Sequence, residues 1–429
     1  MPICLFCASL VFAIFVARKR RLRLLSPFGV MMAFQALYNL TPWLTARIAP
    51  ETALFPLLFD LRTIDIQLIL ASTANFAFSF VFFFFYRNAR IAHVPRGSGI
   101  ASRNYLLLSL PVFVTTCAFC GKYGWHQLTL AGYEAGGTDA LGGMFTVTAY
   151  VKFFFVGIYL NYIYKFGLDK GAWVLIAEHI LVMIIDGARA TFLPVFIMTL
   201  FILADKTNAS RKLRSIYLAA IGGLLVSIGT RAVIIHETNF FRTMLAPVAV
   251  EGAMGDYSCL QSIHGVETLP RLHYAWGATY VVEPFVWLIP RSIGRESLSP
   301  FSHWIKELSP SLTDEFAPMG GFYYLSEAIA NFSYLGPAIV TSIFAGVLIW
   351  VDHRKNTHRL LYLAWMPTMG LMFVKVQFGN GFKLFLIELL SLQLLRALGR
   401  ARRLLPQKPY PKQRGSISRS NPAPIHGEL

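Results

Sequence analysis

Long runs of apolar residues recur along the whole chain, separated by short polar and basic segments. A helix that crosses a bilayer needs about 20 mostly apolar residues, and windows that approach or reach that length recur from end to end. They are roughly 2–17, 24–46, 65–86, 104–121, 143–164, 172–186, 190–204, 215–235, 323–351, 360–378 and 384–398. The pattern predicts an all-α polytopic integral membrane protein with about eleven transmembrane helices.

The charged residues lie mostly between these windows and are unevenly distributed. The net charge is +17, yet only 14% of the 429 residues are charged, well below the usual share of a soluble domain. With the N-terminus outside, the inner segments are 18–23, 87–103, 165–170, 205–214, 352–359 and the tail from 396, and they hold 26 of the 39 Lys and Arg. The positive-inside rule therefore predicts an external N-terminus and a cytoplasmic C-terminus. The basic excess faces anionic lipid, which argues against nucleic acid as a partner.

One connection is far longer than the others and is expected to carry the function. Residues of about 231–322 form a single outer loop, within which "TYVVEPFVWLIP" (279–290) is apolar but too short to span. This stretch predicts an interfacial or re-entrant helix. The membrane domain therefore covers 1–398, and the basic, Pro- and Ser-rich tail 399–429 is expected to be disordered in the cytoplasm.

Motifs for nucleotide or metal chemistry are missing from the sequence. It contains no G-x-x-x-x-G-K-[ST], no H-E-x-x-H and no G-x-S-x-G. Two C-x-x-C spacings, Cys4/Cys7 and Cys117/Cys120, lie within apolar windows, where no set of His or Cys completes a metal site. We therefore predict no cofactor and no metal, and either a substrate that arrives already activated or the movement of a solute down its gradient.

Two arginines next to apolar segments are candidates for binding an anion. In "DGARATFLP" (186–194), Arg189 follows Asp186 by three residues at an outer turn, and in "IPR" Arg291 follows the short apolar stretch. Each has an ordinary interpretation, as a paired surface charge or a lipid headgroup contact. The alternative is that guanidinium groups grip phosphate oxygens bidentately.

Glu327 and Asn331 lie four residues apart at the start of the ninth window, so a helix places them on one face. A carboxylate there either reaches the membrane surface, pairs with an arginine, or serves a reaction. His273 and His303 in the outer loop are further candidate general bases, with a structural role as the alternative for each. Other charges lie within or next to the windows and are candidates for structural ion pairs: Lys152, Glu178, Lys375 and Glu388.

Three of these segments, in this order, resemble motifs of the Wzy-type bacterial polysaccharide polymerases. "GAR" (187–189) is similar to a G-S-R step, "GATYVVEPFVWLIPR" (277–291) to a T-Y…I-P-R loop signature, and "GGFYYLSEAIANFSYLGPAIV" (320–340) to an E-x-x-x-N-F-G-x-x-G helix start. The resemblance covers roughly 186–350. Ala188 and Ser333 depart from the family's usual Ser and Gly, and the W-P-x-K-P element expected after I-P-R is missing.

The resemblance implies a glycosyltransferase that joins undecaprenyl-diphosphate-linked oligosaccharide repeat units at the outer face of the bacterial inner membrane. It implies Glu327, Arg189 and Arg291 as catalytic residues. The expected substrate-binding residues are Arg242, Arg271, His273, Tyr280, Asn331 and Asp186. The lipid-linked oligosaccharide, membrane lipid and a chain-length regulator are the expected partners. Two alternatives stay open: an O-antigen ligase with a different acceptor, and a flippase or other transporter of lipid-linked sugars.

Overall fold

The computed structural model describes residues 1–23, 26–48, 61–87, 102–127, 142–186, 189–206, 257–269, 272–289, 294–308, 323–371, 373–374 and 377–404. These residues are predominantly helical and contain no strand. The helices of the first half are α1 (Pro2–Lys19), α2 (Pro27–Ile48), α3 (Leu61–Phe85), α4 (Ser102–Gln127), α5 (Gly142–Phe166), α6 (Lys170–Asp186) and α7 (Arg189–Lys206). Those of the second half are α8 (257–268), α9 (Ala278–Val286), α10 (Pro300–Leu308), α11 (Tyr324–Phe332), α12 (Gly336–His353), α13 (Arg359–Trp365) and α14 (Phe378–Leu404).

Most apolar windows contain a described helix, but α8, α9 and α10 lie between windows, and α13 covers only the start of the window 360–378. Every window except 215–235, which lies outside the described residues, overlaps a helix. By length and composition, three described segments could cross a membrane: Pro2–Lys19, Leu61–Phe85 and Tyr324–His353, the last formed by α11 and α12 together. The all-helical class and the membrane-helix character are therefore confirmed, and the count of eleven stays a prediction.

The described core is built on α3, which packs between α1 and α12. Ala71 and Ala74 on α3 are fully buried, and such small side chains let neighbouring helix backbones approach closely. Large apolar side chains such as Phe84 and Phe85 are exposed on the same helix. An exposed apolar surface of this kind is typical of a helix that faces lipid.

Opposite ends of α3 carry separate clusters of polar contacts. At the Leu61 end, Arg47 pairs with Asp65 at 2.7 Å and Arg62 pairs with Glu267 of α8 at 3.2 Å. Helix α3 has 25 residues and is about 37 Å long, so its Leu61 end and its Phe85 end are separated by about the thickness of a bilayer.

The Phe85 end of α3 contains the Lys355 cluster: Arg23, Tyr86, Asp205, Asp352 and Lys355. The buried Lys355 ammonium lies 2.7 Å from Oδ2 of Asp205 and 3.2 Å from Oδ1 of Asp352. The Tyr86 hydroxyl donates to Asp352 at 3.1 Å, and Arg23 donates to Asp205 at 3.4 Å. The cluster therefore ties the ends of α1, α3, α7 and α12 together.

A sharp break separates α11 from α12 at Ser333, where φ is +53°. Gly336 follows in such close contact with α11 that an added Cβ would lie 1.9 Å from the carbonyl oxygen of Ala328. Glycine is therefore required at 336. Glycine adopts the backbone conformation of position 333 without strain, whereas serine is strained there.

We expect Ser333→Gly to stabilise the protein by about 1 kcal/mol, because glycine removes the strain of the positive φ. The measurement is the thermal unfolding midpoint of the purified protein in detergent. Ser342→Gly is the matched control, since it places glycine inside α12, where glycine costs roughly 0.5–1 kcal/mol. Equal destabilisation by the two substitutions would contradict a strained turn at Ser333.

Candidate functional site

Asn331 joins two of the motif segments that were singled out in the sequence. Its Oδ1 accepts a hydrogen bond from the backbone N–H of Gly277 at 2.8 Å, and its Nδ2 donates to Thr279 Oγ1 at 2.6 Å. Nδ2 also donates to the carbonyl of Glu327 at 2.7 Å. The fully buried amide thus holds the start of α9 against α11 and brings "GATY" next to "EAIAN".

The N-terminus of α9 depends on this contact. Gly277, its N-cap, has φ of +88° and offers no capping side chain, so Asn331 supplies the acceptor for the Gly277 N–H group. A second bond, from the N–H of Ala275 to the carbonyl of Ala330 at 2.9 Å, fixes the preceding residues. The position of α9 is therefore set by α11.

Glu327 occupies the junction of α11 and α14 and has only 2% of its surface exposed. Its Oε2 accepts a hydrogen bond from the backbone N–H of Phe378 at 2.9 Å, at the first residue of α14. A carboxylate at this position satisfies an otherwise unpaired N–H and faces the positive end of the helix dipole. Its Oε1 is buried and has no hydrogen bond of normal geometry with a described residue, although the Thr279 hydroxyl lies close to the carboxylate. One oxygen therefore holds a helix while the other makes no such bond.

Tyr280 lies beside Glu327 and presents a second unused group. Its ring packs edge-on against Phe378, with 5.2 Å between ring centroids, and its buried hydroxyl has no partner within the described ranges. Burial and then the charge of Glu327 raise the pKa of Tyr280 well above its ordinary value. The hydroxyl therefore stays protonated near neutral pH and remains a donor. A donor and an acceptor that lack protein partners are typical of a site for a hydroxylated substrate.

Glu283 belongs to the same junction and was missed in the sequence analysis. Its fully buried carboxylate accepts hydrogen bonds at Oε1 from the hydroxyl of Ser299 and, at 3.0 Å, from the N–H of Phe301. These bonds hold the first turn of α10 against α9. The sequence does contain an indication of its role. Glu283 is the only charged residue of the stretch 279–290, and its spacing of three residues puts it near Tyr280 on a helix.

Most of the remaining candidate residues have side chains outside the described part of the chain. Asp186 is the last residue of α6 and Arg189 is the first of α7, which agrees with a tight helical hairpin, but neither side chain is among the described ones. Arg242, Arg271 and Arg291 lie outside the described residues.

His273 is described and highly exposed. Its ring Nδ1 lies 3.3 Å from Oε1 of Glu307 on α10, so the imidazole contacts that carboxylate and not Glu327. The structure therefore brings together Glu327, Asn331 and Tyr280, and it leaves His273 at the surface.

Other buried charges lie outside this junction. Glu388 of α14 is fully buried, and neither carboxylate oxygen has a hydrogen-bond partner in the described part of the chain. The side chains of Lys152 and Lys375, which were expected to form structural pairs, are outside that part. Within it, no three His, Cys, Asp or Glu side chains are grouped as a metal site would require.

Comparison with known proteins adds no family assignment. No protein-family model, no curated protein and no solved structure matches the chain. The function proposed below therefore depends on the geometry of the α9, α11 and α14 junction and on the motif resemblance.

Proposed function

We propose that the protein is a membrane glycosyltransferase that polymerises undecaprenyl-diphosphate-linked oligosaccharide repeat units. The observation that carries the proposal is the buried Glu327: its Oε2 caps α14, and neither its Oε1 nor the nearby Tyr280 hydroxyl has a hydrogen bond of normal geometry with a described residue. A rigidly held carboxylate with one available oxygen suits a general base, because its position is set before the substrate binds.

In the proposed reaction, a sugar hydroxyl of the incoming unit attacks the anomeric carbon at the lipid-linked end of the growing chain. The new glycosidic C–O bond forms as the C–O bond to the diphosphate breaks, and the electron pair leaves with the undecaprenyl diphosphate. Glu327 takes the hydroxyl proton, and Tyr280 donates a hydrogen bond to the acceptor sugar. Since the sugar–diphosphate bond supplies the driving force, no nucleotide is consumed.

The contacts at the two ends of α3 support the proposed topology. The Lys355 cluster joins residues from segments that the charge distribution puts on the inner side. Arg62 and Glu267 meet at the other end, where α8 belongs to the proposed outer loop. This arrangement agrees with a multi-pass protein of the bacterial inner membrane with its N-terminus outside and its C-terminus in the cytoplasm.

Arg189 and Arg291 are proposed to bind the diphosphate. Loss of a charge-assisted contact to the developing negative charge costs about 2–4 kcal/mol, so Arg189→Ala and Arg291→Ala should each slow polymerisation by roughly a hundred- to a thousandfold. Lysine keeps the charge without the bidentate fork, so Arg→Lys should recover only part of the rate. The assay is polymer length and rate with lipid-linked repeats.

Arg354→Ala is the matched control for these arginines. Arg354 stacks on Trp350 with its guanidinium 4.7 Å from the ring centroid, at the proposed cytoplasmic end of α12. Its loss should leave the polymerisation rate within about threefold of wild type, because an exposed cation on the other side of the membrane does not contact substrate. Long polymer from both Arg189→Ala and Arg291→Ala at normal expression would show that these two arginines are structural.

A flippase for lipid-linked oligosaccharides is the second candidate, because the helices of the second half are discontinuous. The break at Ser333 and the π-helical turn Met366–Gly370 resemble the interrupted helices of transporters. A deletion strain separates the candidates by the fate of its repeat units. Single repeat units capped on the surface indicate a polymerase, units trapped on the cytoplasmic side indicate a flippase, and finished polymer left on its carrier indicates a ligase.

A further inference from the structure

Glu388 of α14 is a buried carboxylate that the proposed reaction does not use. It is fully buried, and neither of its carboxylate oxygens has a hydrogen-bond partner among the residues that the structure describes. It follows Phe378, the first residue of α14, by about 15 Å of helix, which is half the thickness of the hydrocarbon core of a bilayer. An ionisable side chain at this depth is costly to bury and often marks an ion or proton pathway.

Helix α5 packs tightly over this carboxylate. A Cβ added to Gly157 of α5 would lie 3.3 Å from Oε1 of Glu388, 3.5 Å from Cβ of Ser391 and 3.6 Å from Cδ2 of Leu392. Little room therefore remains between the two helices. A metal ion needs several oxygen ligands, and of the other two side chains only Ser391 offers one, a hydroxyl that already donates to the carbonyl of Ile387 at 2.8 Å. A proton needs no such set of ligands.

The same face of α5 leads towards the Lys355 cluster. Asn161 and Tyr164 follow Gly157 by four and seven residues and therefore share its face. Asn161 is buried; its Nδ2 donates to the Tyr105 hydroxyl at 3.0 Å, and its Oδ1 has no hydrogen-bond partner within the described ranges. The Tyr164 hydroxyl donates to the carbonyl of Lys355 at 3.1 Å. This face of α5 thus carries polar groups between the level of Gly157 and the cluster.

The Lys355 cluster lines a cavity of about 20 Å³, which is enough for one water molecule. The cluster joins segments that the charge distribution puts on the inner side of the membrane. Successive side chains on one helix face have Cβ atoms about 5–6 Å apart, a separation that a bridging water molecule can span. Polar groups therefore continue from the depth of Glu388 to a water-sized cavity on the proposed cytoplasmic side.

The charges around α14 leave Glu388 without an ion pair in the described part of the chain. No described cation lies within salt-bridge distance of it. The π-helical turn Met366–Gly370, which also packs on α14, contains no titratable residue. The charged and titratable residues of α14 and of the helices that pack on it are Tyr150, Lys152, Tyr159, Tyr162, Tyr164 and Lys165 on α5, Tyr280 and Glu283 on α9, Arg359 and Tyr362 on α13, and Lys383, Arg396, Arg400, Arg402 and Arg403 on α14. The Lys152 side chain is outside the described part, so a Lys152–Glu388 ion pair is the alternative arrangement.

We propose that Glu388 is an intramembrane proton-binding site that exchanges its proton with the cytoplasmic side along the α5 face of Gly157, Asn161 and Tyr164. A bound proton makes the buried carboxyl group neutral, which removes the cost of a charge inside the bilayer. A proton site at this depth, reached from one side, is the arrangement through which pumps and transporters use a proton gradient. The proposal does not depend on the polymerase reaction, because no residue of the Glu327 site takes part.

Infrared spectroscopy of the full-length protein in a neutral detergent measures the protonation state of Glu388. At neutral pH, the C=O band of a protonated carboxyl group should be present in the wild type and in Lys152→Met, and it should be lost in Glu388→Gln. Glu307→Gln is the matched control, because it removes a partly exposed carboxylate of α10, and it should keep the band. Monodisperse elution and an unchanged thermal midpoint establish folding, and Glu388→Leu replaces Glu388→Gln if the amide variant aggregates.

Two results would overturn the proton site. Identical spectra of the wild type and the Glu388 variant in the region of protonated carboxyl groups would show that the carboxylate is ionised. A band that appears only in Lys152→Met would identify an ion pair with Lys152 in place of a bound proton.

Deuterium exchange of the same carboxyl group tests the route. The band should shift in heavy water, and Asn161→Leu should slow that shift by about tenfold or more, the effect of losing one hydrogen bond on the route. Asn75→Leu is the matched control, since Asn75 of α3 is another fully buried amide whose Oδ1 has no described partner, and it should exchange at the wild-type rate. Equal exchange rates in the wild type and Asn161→Leu would overturn the route, and a band that never shifts would overturn proton exchange.

Discussion

Glu327→Gln is expected to slow polymerisation by about a hundred- to ten-thousandfold, the range that a general base contributes. The amide oxygen can still accept the Phe378 N–H that Glu327 Oε2 accepts at 2.9 Å, so α14 keeps its position. The amide cannot take a proton from the acceptor hydroxyl. The measurement is the rate at which the purified variant links lipid-borne repeats, together with its thermal midpoint.

Two other roles for Glu327 make different predictions for the same variant. A carboxylate that reaches the membrane surface would tolerate the change, but an exposure of 2% does not agree with that role. A carboxylate paired with a cation would lose stability, and no cation within salt-bridge distance of Glu327 occurs among the described residues. Glu267→Gln on α8, which loses only a surface pair with Arg62, is the control and should keep its activity. A wild-type rate for Glu327→Gln would end the catalytic interpretation.

Lys355→Met should lower the free energy of unfolding by about 3–5 kcal/mol, the usual result of removing one partner from a buried ion pair. The Lys355 side chain is 3% exposed and contacts both Asp205 and Asp352, so its removal leaves two nearby carboxylates without their cation. Thermal unfolding in detergent measures the loss.

The triple variant Lys355→Met, Asp205→Asn, Asp352→Asn separates charge from packing. Neutral amides remove the repulsion between the carboxylates, so this variant should recover most of the stability that Lys355→Met loses. If Lys355→Met unfolds at the wild-type temperature, the cluster does not hold the helix ends together.

The sequence contained enough information to place most of the long apolar helices and to put Glu327 and Asn331 on one face, but it did not predict α8 or α10. The lengths of the apolar runs predicted helices, because a segment inside the membrane must satisfy its backbone hydrogen bonds internally and needs a long apolar stretch to cross. The spacing of four residues predicted a shared face, and Asn331 does donate to the carbonyl of Glu327. The expected short helix at 279–290 appears as α9 over Ala278–Val286, while α14 continues to Leu404, beyond the expected end of the membrane domain at 398.

The contacts that form the site could not be predicted from the local pattern of the sequence. Glu327 meets Phe378 across 51 residues, and Asn331 meets Thr279 across 52, so both depend on how helices pack. The break at Ser333 was hidden because serine seldom adopts a positive φ, although the following Gly336 and Pro337 mark a turn. In the sequence Glu283 is an isolated charge in an apolar stretch, because its partners Ser299 and Phe301 lie at the start of α10, well after it in the chain.

The most direct test of the polymerase proposal is reconstitution of the purified protein in lipid nanodiscs with undecaprenyl-diphosphate-linked repeat units and no nucleotide. The account predicts a ladder of polymers that differ by one repeat unit, with one undecaprenyl diphosphate released for each linkage formed. Glu327→Gln should give single units under the same conditions. Repeat units that stay unlinked with the wild-type protein, or a ladder of equal rate from Glu327→Gln, would contradict the account.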